Sequence, residues 1–248
     1  MGCGLTPWFC RATAGGWSLD LDQRERCRTA HTRLLVVNFP HNPTGDLPTR
    51  AEFEAIIARA RRHDLLLFSD EMYRFWEYHP AARLPAVCDC YAKGISLAGL
   101  SRSFGLPGLR LGWLATRDAA LLHAGLTLKD FTTICNGAAN EILGLMALHA
   151  REEIWARNLA LIRENLQHAE IFCRTHAGRL RWRAPVAFPE WRGAGSSEEF
   201  CRALLAEKSV MAVPGSLFDF PGRHFRLGLG RRNFTEALQR VDEYLRTH

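Results

Sequence analysis

Apolar and polar positions alternate along this chain in blocks that predict a strand-helix-strand order. Leu34-Leu35-Val36-Val37-Asn38-Phe39 is an apolar run of strand length, and Pro40-His41-Asn42-Pro43-Thr44-Gly45 after it is a turn. Thr49 caps a helix through about Arg62, with Phe53, Ile56, Ile57 and Ala60 on one face. Leu65–Phe68 is the next strand and ends in Ser69-Asp70-Glu71. Ile95–Ala98 and Leu111–Ala115 are two further buried strands, joined by a polar, glycine-rich connection. Toward the N-terminus, Leu19-Asp20-Leu21-Asp22 reads as a helix start capped by an Asp or by Ser18. A helical region follows Asp118. Arg151 to His176 predicts one long amphipathic helix (Ile154, Leu159, Ile162, Leu166, Ala169, Phe172), ending at Gly178. The remainder predicts a strand-like stretch at Arg181–Phe188 and a helix at Ser197–Lys208. Strands at Val210–Val213 and Phe225–Leu229 and a last helix at Glu236–Leu245 complete the pattern.

This alternation is that of an α/β layer with a mostly parallel sheet and helices on both faces. The expected division is residues 1–150 as a large domain and 151–248 as a small α+β domain led by the long helix. Open α/β sheets bind ligands beyond the carboxyl ends of their strands. Asn42, Asp70 and Ser101 each stand just after a predicted strand, which nominates that sheet edge as the site.

Composition narrows the classes. Of 248 residues, 47% are hydrophobic and 23% charged, as in an ordinary globular chain of one or two domains. The formal charge of +6 comes from scattered basic residues, not from a cluster interleaved with aromatics, so a solvated surface is expected and no nucleic-acid partner. No apolar run is long enough to span a bilayer. The eight cysteines include no C-x-x-C pair, so no metal site is expected. Without a secretory signal, free thiols in a reducing cytoplasm are the default. Met1-Gly2-Cys3-Gly4-Leu5-Thr6 fits a short myristoylation pattern, but Leu5 to Phe9 reads as the edge of a folded domain. Only Lys93, Lys129 and Lys208 supply amines; the other basic residues are arginines. Gly105, Gly108 and Gly112 lack the dinucleotide-binding spacing, and neither a P-loop nor a G-x-S-x-G elbow occurs.

Four segments carry candidate chemistry. They are Asn38-x-Pro40-x-Asn42-Pro43-Thr44-Gly45, Ser69-Asp70-Glu71-Met72-Tyr73, the stretch from Leu100 to Trp113, and Phe225-Arg226-Leu227-Gly228. Taken singly, Asp70 reads as a helix cap, Tyr73 as a half-buried core aromatic and Arg226 as one surface arginine among many. Their order and spacing argue otherwise, with Asp70 28 residues after Asn42 and Arg102 32 residues after Asp70. Together they resemble the N-x-P-x-N-P-T-G, D-E-x-Y, S-x-S-K-x-x-G-x-x-G-x-R-x-G and F-R segments of the class I/II aminotransferases. These are fold-type-I enzymes that use pyridoxal 5'-phosphate (PLP).

The resemblance implies roles. Asn42 and Tyr73 would donate to the phenolic oxygen of PLP. Asp70 would pair with the pyridine nitrogen and keep it protonated. Ser101, Ser103 and Arg110 would hold the phosphate, a guanidinium gripping two oxygens at once. Arg226 would pair with the substrate α-carboxylate. The implied protein is a homodimer that acts on an amino acid or 2-oxo acid, and the run Lys129 to Asn136 resembles enzymes of the capreomycidine-synthase type. Three features depart from the family. Arg102 stands where the family Lys forms the Schiff base and shuttles a proton, and Arg is neither a neutral amine nor a good base. Gly99 stands where family members often carry another Ser. The N-terminal side is short by roughly the first third of a member, which would carry a phosphate loop at a helix N-terminus and strands of the sheet. The implied function is therefore a PLP-dependent aminotransferase-type protein, holding PLP noncovalently. The alternatives are a non-catalytic PLP- or carboxylate-binding protein and a PLP-dependent cyclase or lyase on the same scaffold.

Overall fold

The computed structural model describes residues 4–13, 16–22, 27–176, 180–181, 188–220 and 222–248. Two short paired strands, β1 (Cys10–Thr13) and β2 (Gly16–Leu19), come first. The rest separates into two compact units, one mainly of Ser18–His41 and Leu47–Ala156, the other mainly of Asn42–Asp46 and Arg157–His248.

The first unit is organised on a four-stranded sheet of β3 (Leu34–Asn38), β4 (Leu66–Asp70), β5 (Gly94–Gly99) and β6 (Gly112–Thr116), in that spatial order. The first three strands run parallel and β6 returns antiparallel to β5. The parallel register pairs Val37 with Ser69 and Asn38 with Asp70. Because side chains alternate along a strand, Leu35, Val37 and Leu67 share one face. Helix α1 (Arg50–Arg62) packs there, burying Phe53, Ile56, Ile57 and Ala60 in one cluster with Val37 and Leu67. Thr49 and Glu52 form a reciprocal capping box at its start. A short helix α2 (Val87–Cys90) leads into β5. After β6 come α3 (Ala119–Thr132), capped by Asp118, α4 (Ala138–His149) and the long α5 (Arg151–Thr175), which continues into the second unit.

In the second unit short pairs β7 (Leu180–Arg181) with β8 (Glu190–Trp191) and β9 (Val213–Pro214) with β10 (Phe225–Arg226) accompany α6 (Ser197–Lys208) and α7 (Phe234–Thr247). Its core joins Phe200, Leu204, Phe225, Val241 and Leu245, and Trp191 stacks on Phe200 at 4.0 Å. Asn165 on α5 is buried and donates to the carbonyls of Leu229 (2.7 Å) and Arg231 (2.8 Å).

The sequence pattern and the structure differ at three places. Ser18 and Leu19 end a strand, so of the two expected caps it is an Asp that serves, the Asp20 Oδ1 accepting from the Asp22 N–H at 3.0 Å. The strand expected at Val210–Val213 begins only at Val213. Ser209 adopts a left-handed conformation and the Val210 N–H returns to the Leu204 carbonyl, so the intervening residues close the helix. The strand expected at Phe225–Leu229 stops at Arg226, and the carbonyl of Leu229 goes to Asn165. Most of the stretch expected at Arg181–Phe188 lies outside the described residues.

The end of β4 is held by Glu71, a buried carboxylate. Its Oε1 accepts from the Val87 N–H (3.0 Å) and the Ser96 hydroxyl (2.8 Å), its Oε2 pairs with Arg74 at 3.2 Å, and its own N–H donates to the Leu97 carbonyl at 2.9 Å. Glu71→Ala leaves two buried donors and a guanidinium without their acceptor. The expected loss is about 3 kcal/mol of unfolding free energy, read from urea denaturation, with unchanged helix content by circular dichroism.

Candidate functional site

In the first unit the candidate residues gather at the carboxyl end of β4 and in the β5–β6 connection. Asp70 closes β4, half-buried; its Oδ1 accepts from the Met72 N–H at 3.1 Å, and its Oδ2 has no hydrogen bond among the described residues. Its backbone carbonyl takes the Phe39 N–H and the Asn38 side-chain amide, each at 3.1 Å, fixing where the carboxylate starts. Tyr73 lies in the turn that follows, its ring 5.4 Å from that of Trp76.

The connection is tied to this turn. The Ser103 hydroxyl donates to the Met72 carbonyl at 3.0 Å, and the Trp76 indole N–H donates to the Ser103 carbonyl at 3.3 Å. Ser103 is buried, so its hydroxyl already serves the backbone, whereas Ser101 is half-buried and makes no hydrogen bond among the described residues. Arg102 is exposed, with its guanidinium carbon 5.7 Å from the centre of the Tyr73 ring, a cation–π contact, and with no carboxylate partner among the described residues. Arg110 is exposed and left-handed (φ 52°) after the turn Pro107–Leu109, and donates back to the Pro107 carbonyl at 3.1 Å. Gly99 has a steric reason. A Cβ there would lie 2.9 Å from the Leu111 carbonyl oxygen, so the close approach of β5 and β6 excludes a serine at this position.

Asn42 and Arg226 fall in the second unit, and the fold brings them together across 184 residues of chain. Arg226 Nη1 donates to Asn42 Oδ1 at 2.8 Å, and its guanidinium carbon lies 5.2 Å from the Phe218 ring centre.

Sequence reasoning left several participants without a role. Glu71 was visible inside the acidic pair after the strand, but only the packing shows its carboxylate turned inward. The loop beyond Tyr73 is held by Phe75, which takes a positive φ of 74° that a bulky residue rarely adopts. Its ring stacks on Trp155 at 3.7 Å, and the Arg83 guanidinium carbon lies 4.6 Å from its centre. Arg83 in turn pairs with the buried Glu77 at 3.1 Å. The signal for this loop is the density of aromatic and charged residues directly after the motif.

The chemistry of the donor set decides how PLP would fit. A half-buried carboxylate with an open oxygen and an unneutralised guanidinium beside a phenol ring suit a cationic pyridine ring carrying anionic groups. A covalent link does not fit, because Arg102 offers no neutral amine and the three lysines are engaged elsewhere. Lys93 pairs with Asp64 at 2.6 Å, Lys129 donates to the Ile134 carbonyl at 2.7 Å, and Lys208 pairs with Glu243 at 3.1 Å. Among the described residues no cluster of His, Cys, Asp and Glu could hold a metal, and no helix is long and apolar enough to cross a membrane.

The α/β fold is that of the fold-type-I PLP aminotransferases. Residues 2–241 match the family model for aminotransferase class I and II, and the chain belongs to that family. It is 28% identical to capreomycidine synthase of Streptomyces vinaceus over 254 residues, covering all of this chain and 64% of that protein. It is 31% identical to a probable N-succinyldiaminopimelate aminotransferase of Mycobacterium tuberculosis over 83% of this chain and 53% of the relative. Among solved structures, a PLP-dependent aminotransferase from Streptococcus suis superposes with a TM-score of 0.85 at 28% identity, over 94% of this chain and 62% of that one. The PLP-dependent cyclase OrfR gives 0.80 at 30% identity, over 95% and 64%. The chain thus spans from about half to just under two thirds of the length of these proteins.

The turn after β3 also carries a titration signal. Burial pushes the His41 imidazole down from 6.5 to about 4, and its Nδ1 lies 3.9 Å from Cys10 Sγ. The unfolded chain takes up this proton near pH 6.5 and the folded chain only near pH 4. The stabilisation from the neutral ring is therefore complete above pH 6.5 and is lost as pH falls toward 4, by about 3 kcal/mol at the low end. The slope of unfolding free energy between pH 4 and 6.5 is expected to flatten in His41→Gln, measured against the unmodified chain by denaturant titration.

Proposed function

We propose that this chain is an aminotransferase-type protein that binds PLP without a covalent bond and receives an amino acid or 2-oxo acid. The observation that carries this reading is the juxtaposition at the end of β4: Asp70 with an open carboxylate oxygen, and Tyr73 under the guanidinium of Arg102. In this reading Asp70 holds the proton of the pyridine nitrogen. By the family resemblance Tyr73 and Asn42 would each donate to the phenolic oxygen, and Ser101 and Arg110 would hold the phosphate, with Ser103 bracing the turn. Arg226 binds the substrate α-carboxylate. When bound, PLP supplies an electron sink for negative charge at the substrate Cα. Arg102 contributes a fixed positive charge and cannot serve as a proton acceptor near neutral pH. The working form is a cytoplasmic homodimer.

One observation favours a second reading. With a guanidinium at position 102, the group that would move the Cα proton is missing, and a non-catalytic protein that binds PLP or a carboxylate is the outcome. A cyclase or lyase draws its support from the names of two relatives, capreomycidine synthase and the cyclase OrfR. Product analysis with amino-acid substrates separates these readings.

The test is a PLP titration followed by absorbance, with borohydride reduction and mass analysis, on the unmodified chain and on Arg102→Lys. The expected result is saturable binding to both and a reducible covalent adduct only on Arg102→Lys. Absence of saturable binding to either protein overturns the site. An adduct on the unmodified chain overturns the role given to Arg102.

A further inference from the structure

The second unit sets a group of interlocked aromatic rings beside Arg226. Phe218 ends a tight turn, Gly215–Phe218, that follows β9. The Gly215 N–H donates to the His224 carbonyl at 2.7 Å, and the Phe220 N–H returns to the Gly215 carbonyl at 3.2 Å. A Cβ at position 215 would lie 2.8 Å from the His224 carbonyl oxygen and 3.3 Å from the Phe188 ring, so glycine is what lets the turn come this close. Phe188, 2% exposed, lies behind it and meets Phe218 edge-on at 6.1 Å and Phe220 edge-on at 5.5 Å. Trp17 meets Phe188 at 5.7 Å and Phe220 edge-on at 5.4 Å. Edge-to-face contacts at these separations are the preferred arrangement of aromatic pairs. Phe218 is the half-buried ring at the margin of the set, held in place from behind.

Arg226 ties this ring to a charge. It is half-buried, its guanidinium carbon lies 5.2 Å from the Phe218 ring centre, and its Nη1 donates to Asn42 Oδ1 at 2.8 Å. Among the described residues no carboxylate pairs with it, and its other N–H groups make no hydrogen bond. A guanidinium takes a carboxylate edge-on, in its own plane. The atoms next to a carboxylate bound there come within reach of the Phe218 ring. A second carboxylate on the same ligand has no cation to meet in this group. Arg223, the other described arginine of the hairpin, is exposed and donates its Nη2 to the Gly193 and Gly195 carbonyls. Moving a second charge from water against rings is unfavourable without such a partner.

We propose that Phe218 is a specificity-determining residue and that the substrate is an amino acid, or its 2-oxo acid, with one carboxylate and an aromatic side chain. The proposal rests on the reading that Arg226 receives the substrate carboxylate. The side-chain ring extends the edge-to-face set at the margin that Phe218 forms, with its carboxylate on the free edge of the Arg226 guanidinium. A small side chain leaves Phe218 wet, and an acidic one is left unpaired. An apolar contact of this kind discriminates by about tenfold or more between ligands that fill it and ligands that do not. Specificity here is a difference between ligands that share the Arg226 contact, so a change at Phe218 moves their ratio and not only their common affinity.

The experiment measures binding of four unreactive carboxylates to the full chain by titration calorimetry: 3-phenylpropanoate, 3-cyclohexylpropanoate, propanoate and butanedioate. None carries an amine or an oxo group, so binding needs neither PLP nor turnover, and a failed PLP titration leaves this result readable. The expected result is that 3-phenylpropanoate binds at least about tenfold tighter than propanoate and butanedioate, and tighter than its saturated analogue. Phe218→Ala is expected to weaken 3-phenylpropanoate by about tenfold or more and propanoate by less than about threefold, and Phe218→Tyr to restore the preference. Arg226→Gln is expected to weaken both by about tenfold or more. Equal losses for the two ligands in Phe218→Ala overturn the proposal, because Phe218 would then only steady Arg226. An unchanged preference in Phe218→Ala, or tighter binding of the saturated ring, also overturns it. Unchanged binding in Arg226→Gln overturns the role given to Arg226, and this proposal with it.

Discussion

The Glu71 carboxylate is the constraint on which the first unit depends. One buried side chain joins the end of β4, the first N–H of α2, the Ser96 hydroxyl inside β5 and the Arg74 guanidinium. A buried carboxylate is tolerated only when its oxygens are fully engaged, and here they are. The consequence is positional. Asp70 precedes it and Tyr73 follows two residues later, so the inward anchor sets where the two candidate ligand groups emerge. The connection between β5 and β6 then locks onto the same turn through the Ser103 hydroxyl and the Trp76 indole.

Arg102 sits in this arrangement as a charge and not as an amine. Its guanidinium lies over the Tyr73 ring, where a cation is attracted to the face of the phenol. A lysine in the same segment would supply a titratable nitrogen; an arginine supplies a permanent donor fork suited to oxyanions. In the proposed reading the family scaffold is kept while the step that depends on a neutral amine is removed.

The same economy of packing explains the uneven surface of the first unit. One face of the sheet is sealed by α1 with side chains of nearly zero exposure, while the opposite face and α3 carry leucines and aromatics into solvent.

The sequence by itself determined the elements and the family. Thr49 with Glu52, Asp118 and Ser196 with Glu199 are local caps that need no distant partner, which is why α1, α3 and α6 start where their patterns predict. The β-strand order and the motif residues Asn42, Asp70, Ser101, Arg102, Arg110 and Arg226 were legible for the same reason, as spacing along one chain. Only the tertiary structure decided what each side chain does. Ser103 turns inward to a backbone carbonyl, Asn42 meets Arg226 from far along the chain, and Asn165 donates its amide to the Leu229 and Arg231 carbonyls. Hydrogen bonds of this kind depend on which groups lose water together, and burial is a property of the folded assembly of elements, not of any segment's pattern.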